Sequence, residues 1–147
     1  MVARVFPLGR SGAAEQTGTV IAIPQARPGT LVVVDDHARV REAVSERLAA
    51  AGWRIVGEAA TGAAAIDLVA RLAPDVVLLD VVLPDMDGFA VADRLAAAGS
   101  ASAVVLTSGH DRRDFSARLQ SAPVRGFLPK EMISGPALAT LLAGDQS

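Results

Sequence analysis

The chain has 147 residues, of which 51% are hydrophobic and 20% charged, with a formal net charge of −2 and no cysteine. These values describe one globular domain rather than a disordered chain, without the basic field that nucleic-acid binding uses. Disulfides, thiol nucleophiles and thiolate-ligated zinc are excluded together. No apolar run reaches the roughly 18 residues of a membrane span. The opening MVARVFPLGRSG has no continuous apolar stretch of signal-peptide length. The expectation is a cytoplasmic protein that binds neither nucleic acid nor membrane.

Residues 1–29 contain GRSGAAEQTG and PQARPG, and Pro24, Pro28 and Gly29 interrupt any periodicity. They read as a disordered or loosely attached leader before a domain at 30–147. LVVV at 31–34 is a continuous apolar run ending in acids, as expected of a strand covered on both faces. ARVREAVSERLAAAG follows, with Val40, Val44 and Leu48 spaced by four and Gly52 as a stop, which predicts an amphipathic helix. WRIVGEA is a second strand, with Trp53 as packing. TGAAAIDLVARLAP predicts a helix with Ile66, Val69 and Ala70 on its inner face, closed by Pro74. DVVLLD is a third strand. GFAVADRLAAAG is a helix burying Phe89, Val91, Ala92 and Leu95 and ending at Gly99. SAVVLTSG is the fourth strand, RRDFSARLQSA a weaker helix through Phe115 and Leu119, and VRGFLPK the fifth strand. SGPALATLLAG closes the pattern, with Ser134 as N-cap and Pro136 near the first turn.

Five strands alternating with five helices predict an α/β fold: a doubly wound, five-stranded parallel sheet. In such sheets ligands sit beyond the carboxyl ends of the strands, at the topological switch point. Four strand ends carry reactive side chains: Asp35 and Asp36, then Asp80, then Thr107 and Ser108, then Lys130. Three carboxylates within reach of one another form a bed for Mg²⁺, a hard cation that prefers oxygen and keeps waters that incoming phosphate oxygens can replace. A lysine and a hydroxyl add what phosphoryl transfer needs, since its catalysis is mainly positioning and charge neutralisation. Taken singly, the acid pair would serve as a helix cap, Thr107 as a β-branched strand residue and Lys130 as a solvated amine. Their joint placement on one rim is what those readings leave unexplained. Asp85 and Asp87, beyond the Pro84 turn, are expected to be structural turn residues.

VVVDDHARVREAVSERL, DVVLLDVVLPDMDG, VVLTSG and GFLPK, in this order and spacing, resemble the receiver domain of two-component response regulators, from about residue 30 to about 143. The resemblance implies a flavodoxin-like sheet of strand order 2-1-3-4-5, as in stand-alone chemotaxis-type regulators. It implies that Asp80 is the phosphoacceptor, attacking a phosphohistidine of a histidine kinase or histidine phosphotransfer protein to form an acyl phosphate. Asp36 would bind Mg²⁺ directly and Asp35 through water, with Asp80 and the backbone carbonyl of Val82 completing the protein ligands. Thr107 would donate to a phosphoryl oxygen and Lys130 would pair with another. Phe127 stands where the family has an aromatic switch residue, here without a hydroxyl. Kinase docking would use the rim and the first helix near Arg39, Glu42 and Arg47, and the switching surface would span residues 112–143.

Two departures stand out. The family's lysine is followed by proline through a cis bond, whereas here Pro129 precedes Lys130 and Glu131 follows. Val82 and Gly109 offer no polar side chain to orient a hydrolytic water, so the aspartyl phosphate is expected to be long-lived. Only GDQS follows the final helix, so the expectation is a switch without an output domain that signals to a downstream protein by contact, rather than a turnover enzyme. A haloacid-dehalogenase-type phosphatase also combines these residue types, but opens with its nucleophile and places its acid pair last. A degenerate receiver that binds partners without phosphorylation is a third reading. His37 and His110 are read as loop residues. Arg112, Arg113 and Arg118, balanced by Asp111 and Asp114, are read as a solvated face.

Overall fold

A computed structural model describes residues 3–5, 29–110 and 112–144. Five parallel strands alternate with five helices: β2 (Thr30–Val34), α1 (Ala38–Ala50), β3 (Arg54–Ala59), α2 (Gly62–Leu72), β4 (Val76–Asp80), α3 (Gly88–Ala97), β5 (Ala103–Ser108), α4 (Ser116–Ser121), β6 (Gly126–Pro129) and α5 (Gly135–Gly144). Counted from Thr30, their order across the sheet is the expected 2-1-3-4-5. One strand is additional. β1 (Ala3–Val5) pairs antiparallel with β3, Ala3 opposite Ala59 and Val5 opposite Gly57, and makes a six-stranded sheet of order β1-β3-β2-β4-β5-β6. These three residues of the expected leader cover the outer edge of β3, whose backbone groups would otherwise face solvent. The expectation for residues 6–28 lies outside the described residues.

The strand runs are continuously apolar because successive side chains enter opposite cores. Val32, Val34, Val77, Leu79, Val104 and Leu106 face one core, with Phe127, under α2 and α3. Leu31, Val33, Val76, Leu78, Val105 and Leu128 face the other, with Val44, Leu48 and Trp53 from the α1 side and Leu138 from α5. The first helix buries Val44 and Leu48, and α3 buries Phe89, Val91, Ala92 and Leu95, as their spacing predicts. The face of α2 differs. Its buried apolar residues are Ala65, Leu68 and Val69, while Ile66 is partly buried and Ala70 exposed. In a helix this rich in alanine the apolar stripe is too broad to set the rotation, and the spacing 65, 68, 69 closes on the sheet.

Helix ends follow their chemistry. Gly52 and Gly99 take φ of 104° and 81°. There the Trp53 N–H reaches Leu48 O and the Ser100 N–H reaches Leu95 O, as in a Schellman stop. Thr61 caps α2 through Ala64 N–H, and Ser134 Oγ accepts from Ala137 N–H at 3.0 Å. The weak fourth helix is split: a 3-10 turn, Arg112–Phe115, precedes the six residues of α4, and neither piece fully buries a residue.

Gly88 sets the approach of α3 to the end of β4. A Cβ there would stand 2.6 Å from the Asp80 carbonyl oxygen and 3.0 Å from Val81 Cα. Both are backbone atoms that cannot rotate away. Gly88→Ala is therefore expected to lower stability by about 1–3 kcal/mol, read as a lower urea midpoint at unchanged slope.

Candidate functional site

The alternation that builds the two cores also aims the site. Asp80 and Thr107 continue the parity of Leu78 and Val105, and they are register partners on β4 and β5. Asp35 follows β2 and Lys130 follows β6 on the same rim. All four converge. Lys130 Nζ donates to Asp80 Oδ2 at 3.0 Å and lies 3.0 Å from Asp35 Oδ2. Asp80 Oδ1 accepts from Val82 N–H at 3.1 Å, and Asp35 Oδ1 from His37 N–H at 2.8 Å. Asp35, Asp80 and Thr107 are 4%, 2% and 3% exposed, whereas Asp36 is open to solvent.

Burial raises the Asp80 carboxyl above its ordinary range; the Lys130 and Val82 hydrogen bonds pull against this without cancelling it, and Asp35 adds to the rise. For Lys130 burial acts downward, but the hydrogen bonds and charges of Asp80 and Asp35 outweigh it and hold the ammonium above its usual range. Asp85 and Asp87 are opposite cases. Slight desolvation is overcome at Asp85 by the N–H groups of Ala63 and Gly62, and at Asp87 by Ala90 N–H and Arg118, so both are lowered. Each carboxylate sits on a helix N-terminus: Asp85 on α2, Asp87 as the N-cap of α3. The structural reading of these two acids agrees with their contacts.

Asp35, Asp36, His37 and Asp80 each offer one ligand atom, all within 4.8 Å of one another. Three of the four are carboxylates, the donors a hard divalent cation takes. Beside them Thr107 Oγ1 is fully buried without a hydrogen-bond partner. An orphaned hydroxyl register-paired with Asp80 is a donor waiting for an acceptor. The residues present therefore fit Mg²⁺ with a phosphoryl group. Val82 meets the site through its backbone N–H, which donates to Asp80 Oδ1, and the residue is 56% exposed.

Several contacts were not legible beforehand. Arg41 Nε pairs with the buried Glu58 at 3.2 Å while its Nη1 donates to the Asp35 carbonyl at 2.7 Å, pinning the acid loop. Arg112, Arg113 and Arg118 are exposed, as the solvated-face reading has it, but Arg118 finds a distant acid: it pairs with Asp87 at 2.9 Å and lies 4.0 Å over the Phe89 ring. Asp111 lies outside the described residues. Phe127, the expected switch aromatic, is buried with its centroid 6.0 Å from Phe115, which is also 6.0 Å from Phe89. Arg47, expected at a docking face, donates to the Ile133 carbonyl at 2.9 Å, while Arg39 and Glu42 are exposed. His37 is a loop residue, as read, at the N-cap position of α1, with its ring 3.2 Å from Asp36 Oδ1 and 3.4 Å from Asp35 Oδ1. No cis peptide bond occurs among the described residues; Lys130 instead opens a 3-10 turn, Lys130–Met132.

A parallel sheet that gathers an acid cluster, a hydroxyl and an ammonium at its switch point defines the class of signal receivers. The family profile described as response regulator receiver domain matches residues 31–142, and the chain belongs to that family. Among curated relatives, it is 34% identical over 114 residues to the transcriptional regulatory protein PdtaR of Mycobacterium tuberculosis, covering 78% of this chain and 55% of that one. It is 38% identical over 109 residues to a protein named as a probable transcriptional regulator, NarL, of the same organism, covering 74% and 50%. The chain thus spans about half the length of these relatives. The solved receiver domain of M. tuberculosis NarL superposes with a TM-score of 0.71 at 34% identity, over 79% of this chain and 98% of that one. Receiver domains of two-component systems accept phosphoryl groups from histidine kinases or phosphotransfer proteins and bind Mg²⁺ through acidic residues.

The raised Asp80 carboxyl has a consequence for stability. A group whose folded-state affinity for protons is raised stabilises the fold below the unfolded carboxyl range and loses that contribution as pH rises through its folded value. Wherever Asp80 is ionised, its charge is therefore a cost. Asp80→Asn removes the charge and leaves a carbonyl for Lys130. The variant is expected to melt a few degrees higher than wild type at pH 7.5, with the advantage shrinking as pH falls through the carboxylate range. Equal melting temperatures throughout would contradict the assignment.

Proposed function

We propose that this receiver is a phosphorylation-controlled switch whose phosphoacceptor is Asp80. One carboxylate oxygen forms the new P–O bond as the P–N bond to a partner's phosphohistidine breaks, and the imidazole leaves with the electron pair. The observation that carries this reading is the convergence of Asp80 and Asp35 on Lys130, next to the orphaned Thr107 hydroxyl. Asp36 and Asp80, with Asp35 acting through water and the Val82 carbonyl, would hold Mg²⁺. That ion, when bound, offsets charge on the phosphoryl oxygens. Lys130 exchanges part of its hold on Asp80 for a phosphoryl oxygen, and Thr107 donates to another.

Added charge of about −1.5 to −2 at Asp80 then draws Thr107 inward and biases the surface of α4, β6 and α5, with Phe127 as its buried aromatic. Partner contact is supported at the mouth of the site, where Val82 and Met132, two residues beyond Asp80 and Lys130, are the exposed large hydrophobic residues among those described, each 56% exposed. Output by protein contact to a downstream target, from the cytoplasm, completes the reading. No helix among the described residues is long and apolar enough to cross a membrane.

Incubation with Mg²⁺ and acetyl phosphate should add the mass of one phosphoryl group to the intact protein, and Asp80→Ala should show none. Lys130→Ala should label about 10²-fold more slowly, as for loss of one donor to developing charge. The label on purified wild type should persist for minutes or longer, because Val82 and Gly109 present no polar side chain to a water. Loss within seconds would contradict the long lifetime, and steady release of phosphate from simple esters would favour a phosphatase.

A further inference from the structure

Arg41 is a charged residue on the inward stripe of a helix. The buried residues of α1 are Val44, Ser45 and Leu48, and Arg41 stands one turn before Ser45 on the same face, its side chain 14% exposed. It divides its donors between two targets. Nε pairs with Glu58 Oε1 at 3.2 Å, and Nη1 donates to the Asp35 carbonyl at 2.7 Å. Glu58, on β3, is buried, its side chain 4% exposed. A buried ion pair is weak evidence of stabilisation by itself, because both charges lose water. Its placement against one backbone carbonyl asks for a second reason.

The end of β3 holds Asp35 from both sides of its backbone. Ala59 O accepts from Asp35 N–H at 3.0 Å, and the preceding residue, Glu58, aims Arg41 at the Asp35 carbonyl. That carbonyl and Asp36 N–H belong to one planar peptide unit, so a fixed carbonyl also fixes where Asp36 leaves the strand. Asp36 itself is open to solvent between β2 and α1. Arg41 N–H donates to the His37 carbonyl at 2.9 Å, so one residue holds the loop at both ends. A guanidinium suits this task, since its rigid fork delivers donors in fixed directions and an ammonium does not.

We infer that Arg41, aimed by Glu58, is a positioning residue that raises the Mg²⁺ affinity of the acid cluster by fixing the Asp35–Asp36 peptide. The inference rests on the Mg²⁺-binding reading of that cluster. Both residues act through the backbone and not as ligands. Charge alone would give the opposite sign, because a guanidinium beside the acids repels a divalent cation, and Glu58 offsets it. Replacing both members of the pair leaves the net charge unchanged, so the effect that remains is the loss of the fixed peptide.

Isothermal titration of the full chain with Mg²⁺ compares wild type, Arg41→Met/Glu58→Leu and, as a polar alternative should the apolar pair fold poorly, Arg41→Gln/Glu58→Gln. Asp36→Asn is the control for the site itself. The expected result is about tenfold weaker Mg²⁺ binding in either double variant, the size of effect that follows loss of a group orienting a metal ligand. The apolar double variant should melt within a few degrees of wild type, because a buried ion pair exchanged for apolar side chains of similar volume costs little. Weak binding there is then not weak folding. Labelling by acetyl phosphate should need about tenfold more Mg²⁺ to reach half its maximal rate, with the rate at saturating Mg²⁺ within about twofold of wild type, the split left when only binding is lost. Mg²⁺ affinity within about twofold of wild type in both double variants, with Asp36→Asn still weakened, would overturn the role given to Arg41. An unchanged half-saturation with a lower maximal rate would overturn it too. Failure of wild type to bind Mg²⁺ would remove the acid site on which the inference stands.

Discussion

Two carboxylates sharing one ammonium is the interaction on which the rim of this sheet depends. Asp35 and Asp80 end neighbouring strands with almost no access to water, and side by side they would repel each other strongly in so dry a place. Lys130 resolves the conflict from a distance. It follows β6, two strands away from β4, a gap of roughly 10 Å at ordinary strand spacing. Only a long flexible cation bridges that gap. Parallel order is what permits it, because every strand then delivers its carboxyl end to the same edge.

The remaining negative charge in the loop after β4 is discharged elsewhere. Asp85 accepts from the first two N–H groups of α2, at 2.8 and 2.9 Å, and Asp87 accepts from Ala90 N–H of α3 while pairing with Arg118. Helix N-termini supply partial positive charge and unsatisfied donors in one place. Of the three acids in DVVLPDMDG, two are thus consumed in holding helices. Asp80 alone faces the rim, and it is the one whose burial keeps its proton affinity high. The same short stretch therefore separates an anchoring role from the chemical one proposed for Asp80 by environment, using a single residue type.

Much of this was legible in the sequence, and the pattern of what was not has a physical cause. Continuous apolar strands and glycine stops depend on local period, and Asp35, Asp80, Thr107 and Lys130 could be placed because strand ends of an alternating α/β chain must share one edge. The edge strand Ala3–Val5 is three residues long and carries no period. The rotation of α2 was missed because alanine around most of the helix leaves the buried face to tertiary packing. The partner of the exposed Arg118 was missed because Asp87 lies 31 residues away, while nearer acids made a balanced local run. Arg41 and Glu58 were silent for the same reason. Charges declare their sign in a sequence but not their partners.

That distinction bears on how a charge at Asp80 could be felt at a distance. The segment from Arg112 to Ser121 has no fully buried residue, so little burial energy holds it. Its attachments are side chains: Phe115 set between Phe89 and Phe127, and Arg118 lying on Phe89 while paired with Asp87. An exposed ion pair and a cation–π contact each supply only about 1 kcal/mol or less. Leaving a buried hydroxyl unsatisfied costs about 1–3 kcal/mol, and Thr107 carries such a hydroxyl five residues before Arg112. Satisfying Thr107 would thus release free energy comparable to those two contacts, while Phe115 and Leu119, packed against the core, hold the rest of the segment. The proposed switch would need two arrangements that differ by little, and the stretch between β5 and α4, where no residue from Arg112 to Ser121 is fully buried, is where such a balance could fall.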